Sequence, residues 1–184
     1  MTARGVFPGS FNPPTVAHLA IAEAARHQHD LDVVDLVVSR RALAKEAVEH
    51  PRFEDRIEVI RRSIEPHRWL DVVVTEAQLL VDIAHGYDLL IVGADKWAQI
   101  QELQWYETPT ARDRALAELP PTAIVPRLGH PHPEGLVLDL DDATLAAVSS
   151  TRARAGEIEL MAQAARRFAL ETGAWIEPDR YDSR

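Results

Sequence analysis

Cysteine is absent from this sequence of 184 residues, and lysine occurs only as Lys45 and Lys96. The lack of cysteine excludes disulfide bonds and thiolate metal sites. No apolar run reaches the roughly 18 residues that a membrane-spanning helix needs. The first ten residues also lack the apolar core of a secretory signal. We therefore expect a cytoplasmic protein without a membrane partner.

Positive charge is scarce too, because 20 lysines and arginines stand against 29 aspartates and glutamates, for a net charge of −9. This acidity argues against a general nucleic-acid-binding protein, whose phosphate contacts favour a basic surface. It still allows a local basic pocket for a small phosphorylated ligand. The rarity of lysine has two explanations: an arginine-biased genome, or lysines kept only where a compact ammonium is needed.

Apolar runs rich in β-branched residues alternate with helical patterns along the chain. The predicted strands are Gly5–Phe7, Val33–Val38, Leu70–Thr75, Leu89–Val92, Thr122–Val125 and Leu136–Leu140. The predicted helices are Thr15–His29, Pro51–Ile64, Glu76–Ala84, Thr110–Leu119 and Glu157–Glu171. Continuous apolar strands are typical of sheets that are covered on both faces. The alternation predicts an α/β fold, a doubly wound and mainly parallel sheet whose ligands bind at the carboxyl ends of the strands.

The length and the apolar content of 46% suit one globular domain, residues 1–184. From about residue 149 onward, helical pattern follows helical pattern without an intervening strand. We predict a C-terminal helical appendage on the same domain.

The first strand leads into the stretch PGSFNPPTVAHLAI, residues 8–21. Gly9 would let the backbone approach a ligand closely, and Asn12 is suited to capping the following helix, whose first turn accepts the two prolines. The free amides of a helix start attract phosphate. Thr15 and His18 share a face of that helix because they are three residues apart. The alternative interpretation is an ordinary capped helix with a surface histidine.

A second cluster of hydroxyls, VSSTRAR, lies at residues 148–154. Ser149, Ser150 and Thr151 form a natural helix cap. Arg154 follows one turn after Thr151, so its guanidinium can grip phosphate oxygens at the same helix end. On its own, this stretch is also compatible with simple capping.

Together, the two stretches resemble the paired signatures of the nucleotidylyltransferase superfamily. GSFNPPTVAHL matches glycine, small residue, phenylalanine, any residue and proline, followed by threonine or histidine, two residues and histidine. VSSTRAR matches the serine-serine-threonine-x-x-arginine motif position by position. The threonine form of the first motif resembles phosphopantetheine adenylyltransferases and eukaryotic-type nicotinamide mononucleotide adenylyltransferases. Most bacterial nicotinate mononucleotide adenylyltransferases have histidine at that position.

Two stretches in the middle of the chain add to the resemblance. DLLIVGADKW resembles the Gly-x-Asp turn of the pyridine-nucleotide members, where Gly93 would admit the nucleotide and Asp95 would accept hydrogen bonds from ribose hydroxyls. The alternative for Asp95 is a helix cap. VPRLGHPHPEG resembles a later strand end that places Arg127 near the site. Its His130 and His132 have no carboxylate or cysteine partner, so we predict solvated histidines and no metal site.

The stretch VVSRRALAKEAVEHPRF resembles the loop in which family members place a lysine near the α-phosphate. Lys45 is the candidate, and Arg40 or Arg41 could substitute for it because the register of this loop is loose.

The resemblance implies a Rossmann-like fold and adenylyl transfer, in which an acceptor phosphate attacks the α-phosphorus of ATP and pyrophosphate leaves. It implies that His18 donates to an α-phosphate oxygen and that Thr15 positions the phosphates. Arg154 and the amides around Ser150 and Thr151 would hold the β- and γ-phosphates, with Mg²⁺ bridging them. The implied catalytic residues are His18, Thr15, Arg154 and Lys45. The implied ATP-binding residues are Gly9, Ser10, Phe11, His18, Gly93, Asp95, Arg127, Ser149, Ser150, Thr151 and Arg154.

The acceptor is less well defined than the nucleotide. The Gly-x-Asp turn favours a pyridine mononucleotide, and the arginine-rich stretch expected of phosphopantetheine enzymes is missing. Lys45, Lys96, Trp97 and Trp105 are the predicted acceptor-binding residues, with a tryptophan stacking on the pyridine ring. The alternative is that both tryptophans simply pack. The chain departs from bacterial nicotinate enzymes in lacking their serine-tyrosine-threonine stretch before the fourth strand.

We predict an adenylyltransferase for nicotinate or nicotinamide mononucleotide in NAD biosynthesis. The alternatives are a phosphopantetheine adenylyltransferase, another small-molecule nucleotidylyltransferase, or a nucleotide-binding sensor without turnover. The presence of both His18 and Arg154 argues against the sensor. The predicted partners are therefore ATP and a small mononucleotide, not nucleic acid. The sequence leaves open whether the protein forms a homo-oligomer.

Overall fold

The computed structural model describes residues 2–40, 50–127, 130, 137–140 and 143–183. These residues form a five-stranded parallel sheet in the order β3-β2-β1-β4-β5. The strands are β1 (Arg4–Pro8), β2 (Val33–Ser39), β3 (Leu70–Thr75), β4 (Leu89–Gly93) and β5 (Thr122–Val125). The predicted parallel α/β fold is confirmed.

Helices follow most strands, and three more stand near the C-terminus. They are α1 (Val16–Gln28), α2 (Phe53–Ile64), α3 (Leu80–Ala84), α4 (Ala94–Gln99), α5 (Pro109–Ala117), α6 (Ser150–Arg154), α7 (Gln163–Thr172) and α8 (Pro178–Asp182). Within the described ranges, none of these helices combines the length and apolarity needed to cross a membrane.

Both faces of the sheet are buried, which explains the continuous apolar runs of its strands. On one face, Ile21 of α1 and Ile60 of α2 pack in one cluster with Val34 of β2. On the other face, Val37 of β2 packs with Ala94 of α4. The chain reverses its direction of travel across the sheet between β1 and β4, so a crevice forms beyond the carboxyl ends of these two strands.

The predicted helix Glu157–Glu171 is interrupted. A 3₁₀ turn covers Ile158–Leu160, and α7 begins only at Gln163. Between them, Ala162 N–H donates to the carbonyl of Pro14 at 3.0 Å, and Met161 pairs with Thr15 in an isolated antiparallel bridge. Hydrogen bonds to a distant loop thus replace those that would continue the helix.

Two other boundaries also differ from the prediction. The helix expected at Glu76–Ala84 begins at Leu80, because Ser39 Oγ donates to Ala77 O at 2.6 Å and ties the preceding segment to the strand ends. The strand expected at Leu136–Leu140 is reduced, among its described residues, to a bridge between Val137 and Ile124. Leu136 itself lies outside the described residues.

Candidate functional site

The beginnings of α1 and α6 meet at one loop. Ser150 Oγ donates to the carbonyl oxygen of Pro13 at 2.7 Å. The Arg154 guanidinium donates to the carbonyl oxygen of Asn12. The two sequence motifs, about 130 residues apart, therefore form one structural unit at the carboxyl end of β1.

Thr15 and His18 form a reciprocal cap at the start of α1. The backbone N–H of Thr15 donates to His18 Nδ1 at 2.9 Å, and the backbone N–H of His18 approaches Thr15 Oγ1 at 3.4 Å. A nitrogen that accepts a backbone hydrogen bond carries no proton, so the neutral ring holds its proton on Nε2. The cap thereby selects the tautomer in which Nε2–H is a donor.

The surroundings of the His18 ring keep it neutral. The rings of Phe11 and Phe7 lie 4.9 and 6.0 Å from it, between centroids. Burial, assisted by the charge of Arg127, lowers the pKa of His18 to about 3. Because this value lies far below neutrality, His18 presents an uncharged N–H donor over the whole physiological pH range.

Gly9 and Phe11 form the support beneath this histidine. A Cβ on Gly9 would lie 2.9 Å from Phe11 Cζ, so the missing side chain makes room for the Phe11 ring. That Gly9 also lets a ligand approach the backbone stays a prediction. Phe11 is 1% exposed and has a φ of 42°, while Ser10 between them is half-buried.

Asn12 does not cap α1, contrary to the prediction. The cap is Thr15, and the Asn12 side chain instead accepts a hydrogen bond from the indole N–H of Trp175. Thr15 is fully buried, and its Oγ1 lies 2.9 Å from His18 Nδ1; that it positions phosphates stays a prediction. Sequence analysis missed Trp175 because nothing in the local pattern indicates a partner so far along the chain.

The end of β4 brings a second group of predicted residues to the crevice. A Cβ on Gly93 would collide with Asp95 Oδ1 and lie 3.5 Å from Arg127 Nε. Arg127 donates from NH1 to the carbonyl of Val148 at 3.0 Å. Arg127 thus lies beside the end of β4 and is hydrogen-bonded to the first residue of the second motif. Asp95 is exposed, and no side chain caps α4.

The second motif is more open than the first. Ser149 caps α6, since its Oγ accepts from the backbone N–H of Arg152 at 3.2 Å. Thr151 and Arg154 are exposed, and Arg154 NH2 approaches Thr151 Oγ1 at 3.4 Å. The Arg154 guanidinium is therefore tied at one side and accessible at the other.

The predicted acceptor residues are less closely gathered. Lys45 and Arg41 lie outside the described residues, whereas Arg40 forms ion pairs with Glu54 and Glu76 at 3.5 and 3.7 Å.

The remaining candidates lie after β4. Lys96 donates to Gln99, and Trp97 packs against the cluster beneath α4. Trp105 is half-buried, and its indole N–H has no hydrogen-bond partner among the described residues.

The two histidines of the later loop differ in whether the structure describes them. His130 is exposed, and His132 lies outside the described residues. In the part of the chain that the structure describes, no three histidine, aspartate or glutamate residues cluster as metal ligands.

Known proteins resemble this chain in both sequence and fold. A probable nicotinate-nucleotide adenylyltransferase of Anaeromyxobacter dehalogenans (strain 2CP-1 / ATCC BAA-258) is 34% identical over 164 residues, 80% of this chain and 79% of the relative. A phosphopantetheine adenylyltransferase of Lactobacillus johnsonii is 30% identical over 84 residues, 45% of this chain and 46% of that protein.

A solved structure shares the fold. Plasmodium falciparum nicotinic acid mononucleotide adenylyltransferase, complexed with NaAD, superposes with a TM-score of 0.72 at 13% identity, covering 95% of this chain and 98% of that one. The family model described as cytidylyltransferase-like matches residues 6–156, a range that includes both helix starts and the ends of β1 and β4. This chain belongs to the cytidylyltransferase-like family and is a nucleotidyltransferase enzyme.

Proposed function

We propose that this protein transfers AMP from ATP to the phosphate of a pyridine mononucleotide, with nicotinate mononucleotide as the first candidate, in NAD biosynthesis. The observation that carries the proposal is the convergence of His18, Arg127 and Arg154 around the loop after β1. A neutral donor and two guanidinium groups at the carboxyl edge of a parallel sheet suit a triphosphate.

The chemistry needs no general base, because the acceptor phosphate is already ionised near neutral pH. One of its oxygens attacks the α-phosphorus of ATP, the bond to the bridging oxygen breaks, and pyrophosphate leaves with the bonding electrons. His18 Nε2–H donates to a non-bridging oxygen of the α-phosphate and stabilises the charge that develops there. Thr15 holds the ring in the required tautomer and orientation.

The two arginines act on the leaving group. Arg154 is exposed toward solvent and is anchored by the carbonyl of Asn12, so it can contact the β- and γ-phosphates without losing its position. Arg127 lies between Gly93 and Val148. The fixed positive charges of these two arginines stabilise the negative charge that develops on pyrophosphate as it leaves.

Mg²⁺ enters this scheme with the nucleotide, as MgATP. When bound, it would neutralise phosphate charge and so favour the departure of pyrophosphate, and it would be held mainly by the nucleotide. Such an ion requires no set of protein carboxylates, and the described residues present no cluster of three potential ligands.

The choice of acceptor follows from the relatives. The nicotinate-nucleotide adenylyltransferase matches 80% of this chain, whereas the phosphopantetheine adenylyltransferase matches 45%. The half-buried Trp105 stays the residue that we predict to stack on an aromatic acceptor. Phosphopantetheine stays the second candidate because a relative with that activity matches part of the chain.

Pyrophosphate release from MgATP tests the proposal. The purified protein is assayed with nicotinate mononucleotide, nicotinamide mononucleotide, phosphopantetheine and no acceptor. We expect release with a pyridine mononucleotide and formation of the corresponding dinucleotide. Release with phosphopantetheine alone would establish the second candidate. ATP binding without release for any acceptor would indicate a sensor.

A further inference from the structure

The hydrogen bond between Trp175 and Asn12 joins the C-terminal region to the first motif. Trp175 Nε1 donates to Asn12 Oδ1 across 163 positions of sequence. Both residues are buried, at 5% and 7% exposure. The backbone carbonyl of the same Asn12 accepts from Arg154. Asn12 is therefore held on its side chain by Trp175 and on its main chain by the guanidinium proposed to bind phosphates.

Both ends of this contact have unusual backbone geometry. Phe11, which precedes Asn12, has a φ of 42°, and Trp175 has a φ of 68°. Non-glycine residues rarely adopt positive φ, and the conformation persists only where the surrounding structure enforces it. At Trp175 the enforcement comes from a tight turn, because Glu177 N–H donates to Gly173 O at 2.7 Å. The turn directs the indole into the interior.

The neighbouring residues of the loop are also tied to the C-terminal region. Ala162 N–H donates to Pro14 O at 3.0 Å, and Ser150 Oγ donates to Pro13 O at 2.7 Å. These contacts use the backbone of their partners. The Trp175 contact alone in this set depends on the side chain of Asn12, so it can be removed by substitution without changing the rest.

We propose that Trp175 is a positioning residue for adenylyl transfer, which acts through Asn12 to fix the guanidinium of Arg154 where it binds the phosphates of ATP. This inference rests on the proposed function. If Asn12 loses its side-chain partner, its carbonyl is held only through the neighbouring prolines, and the anchor that preorganises Arg154 is less well fixed. The consequence is weaker ATP binding, whereas the acceptor site is unaffected.

The test is a set of variants measured by steady-state kinetics and by calorimetric titration with ATP. Trp175→Phe removes the N–H and keeps a ring beside Phe168, whose ring lies 6.0 Å from the indole. Asn12→Leu removes the side-chain oxygen that accepts the hydrogen bond from Trp175, whereas Asn12→Asp keeps an accepting oxygen at this position. Trp69→Phe is the matched control, because Trp69 packs against the core at the start of β3.

We expect Trp175→Phe and Asn12→Leu each to raise KM and Kd for ATP about tenfold, the size of one lost hydrogen bond. KM for the acceptor should stay within about twofold, and Asn12→Asp should recover most of the loss. In an Arg154→Ala background, Trp175→Phe should have little further effect on ATP.

Three outcomes would overturn the proposal. The first is an unchanged ATP affinity in Trp175→Phe. The second is a lower kcat with both KM values unchanged, since this indicates loss of folded enzyme. The third is the same loss with and without Arg154. If the wild type binds ATP but turns over no acceptor, the proposed function fails, and the ratio of ATP dissociation constants still decides the role of Trp175. A wild type that does not bind ATP refutes both.

Discussion

The starts of α1 and α6, which meet at the site, differ in how far their side chains are exposed to solvent. The first is the more closed: Thr15 is fully buried, and the half-buried His18 packs its ring against Phe11, which favours its neutral form. The second is open: Thr151 and Arg154 are exposed, and the cap of α6 is the side chain of Ser149. One site therefore combines a shielded neutral donor with a charge that water can reach.

This difference in exposure predicts different roles for the two helix starts in the reaction. A donor in a water-excluded site interacts strongly with the charge that develops during reaction. An exposed guanidinium attracts phosphate at longer range, but solvent and salt screen it. We therefore expect the first helix start to govern turnover and the second to govern binding of ATP.

The largest effect is expected at the closed helix start. His18→Ala should lower kcat about a hundredfold or more with a much smaller change in ATP affinity, because its donor acts mainly in the transition state. Steady-state kinetics and ATP titration check this, with the exposed His27 of the same helix, changed to alanine, as control. Equal losses in binding and turnover would contradict the division of work.

The next effect concerns pH. The pKa of His18 is about 3 in the folded protein and ordinarily near 6.5, so the unfolded chain binds the proton first. The contribution of the neutral His18 ring to the free energy of unfolding is therefore fully present above pH 6.5, and it is lost as the pH falls toward 3. At pH 5 the loss is on the order of 2 kcal/mol.

Urea unfolding at pH 7 and pH 5 measures this loss. His18→Asn should reduce the pH dependence, whereas Arg154→Ala should retain it because a guanidinium does not titrate in this range. If His18→Asn and Arg154→Ala showed the same pH dependence of unfolding, this dependence could not be assigned to His18.

A smaller effect is expected at the open helix start. Arg154→Ala should raise KM for ATP about tenfold and change kcat less, the loss expected for one charge-assisted contact. Added salt should weaken ATP binding in the wild type more than in the variant. Arg152→Ala is the matched control, since Arg152 lies on the same short helix and pairs with Glu157. If Arg152→Ala raised KM for ATP as much as Arg154→Ala does, the assignment of ATP binding to Arg154 would be wrong.

The smallest effect separates the two caps. Ser149→Ala and Thr15→Ala should each destabilise the fold by about 1 kcal/mol, the usual cost of a lost N-cap. Only Thr15→Ala should also lower kcat, because it removes the Oγ1 contact with His18 Nδ1 at 2.9 Å and leaves the ring held by the backbone N–H alone. Thermal unfolding and kinetics on the same samples provide the comparison. Unchanged kcat in Thr15→Ala would show that the cap does not orient the ring.

The strands and the two motifs were predictable because their signals are local. A continuous apolar run indicates a buried parallel strand. The five strands accordingly lie within a residue or two of the predicted limits. The cap of α1 was assigned wrongly to Asn12, because Asn12 and Thr15 are both good caps and stand three residues apart. In the structure Thr15 is the cap, and the Asn12 side chain accepts a hydrogen bond from the distant Trp175 instead.

The chain order of residues alone determined the alternation of strand and helix, the two sequence motifs and the family to which they point. Those properties rest on side-chain type and short spacing. Only the tertiary structure decided that Trp175 pairs with the side chain of Asn12, that Arg154 is anchored by the carbonyl of Asn12, and that α7 begins late. Each of these depends on atoms brought together from far along the chain, and local sequence carries no record of such distances.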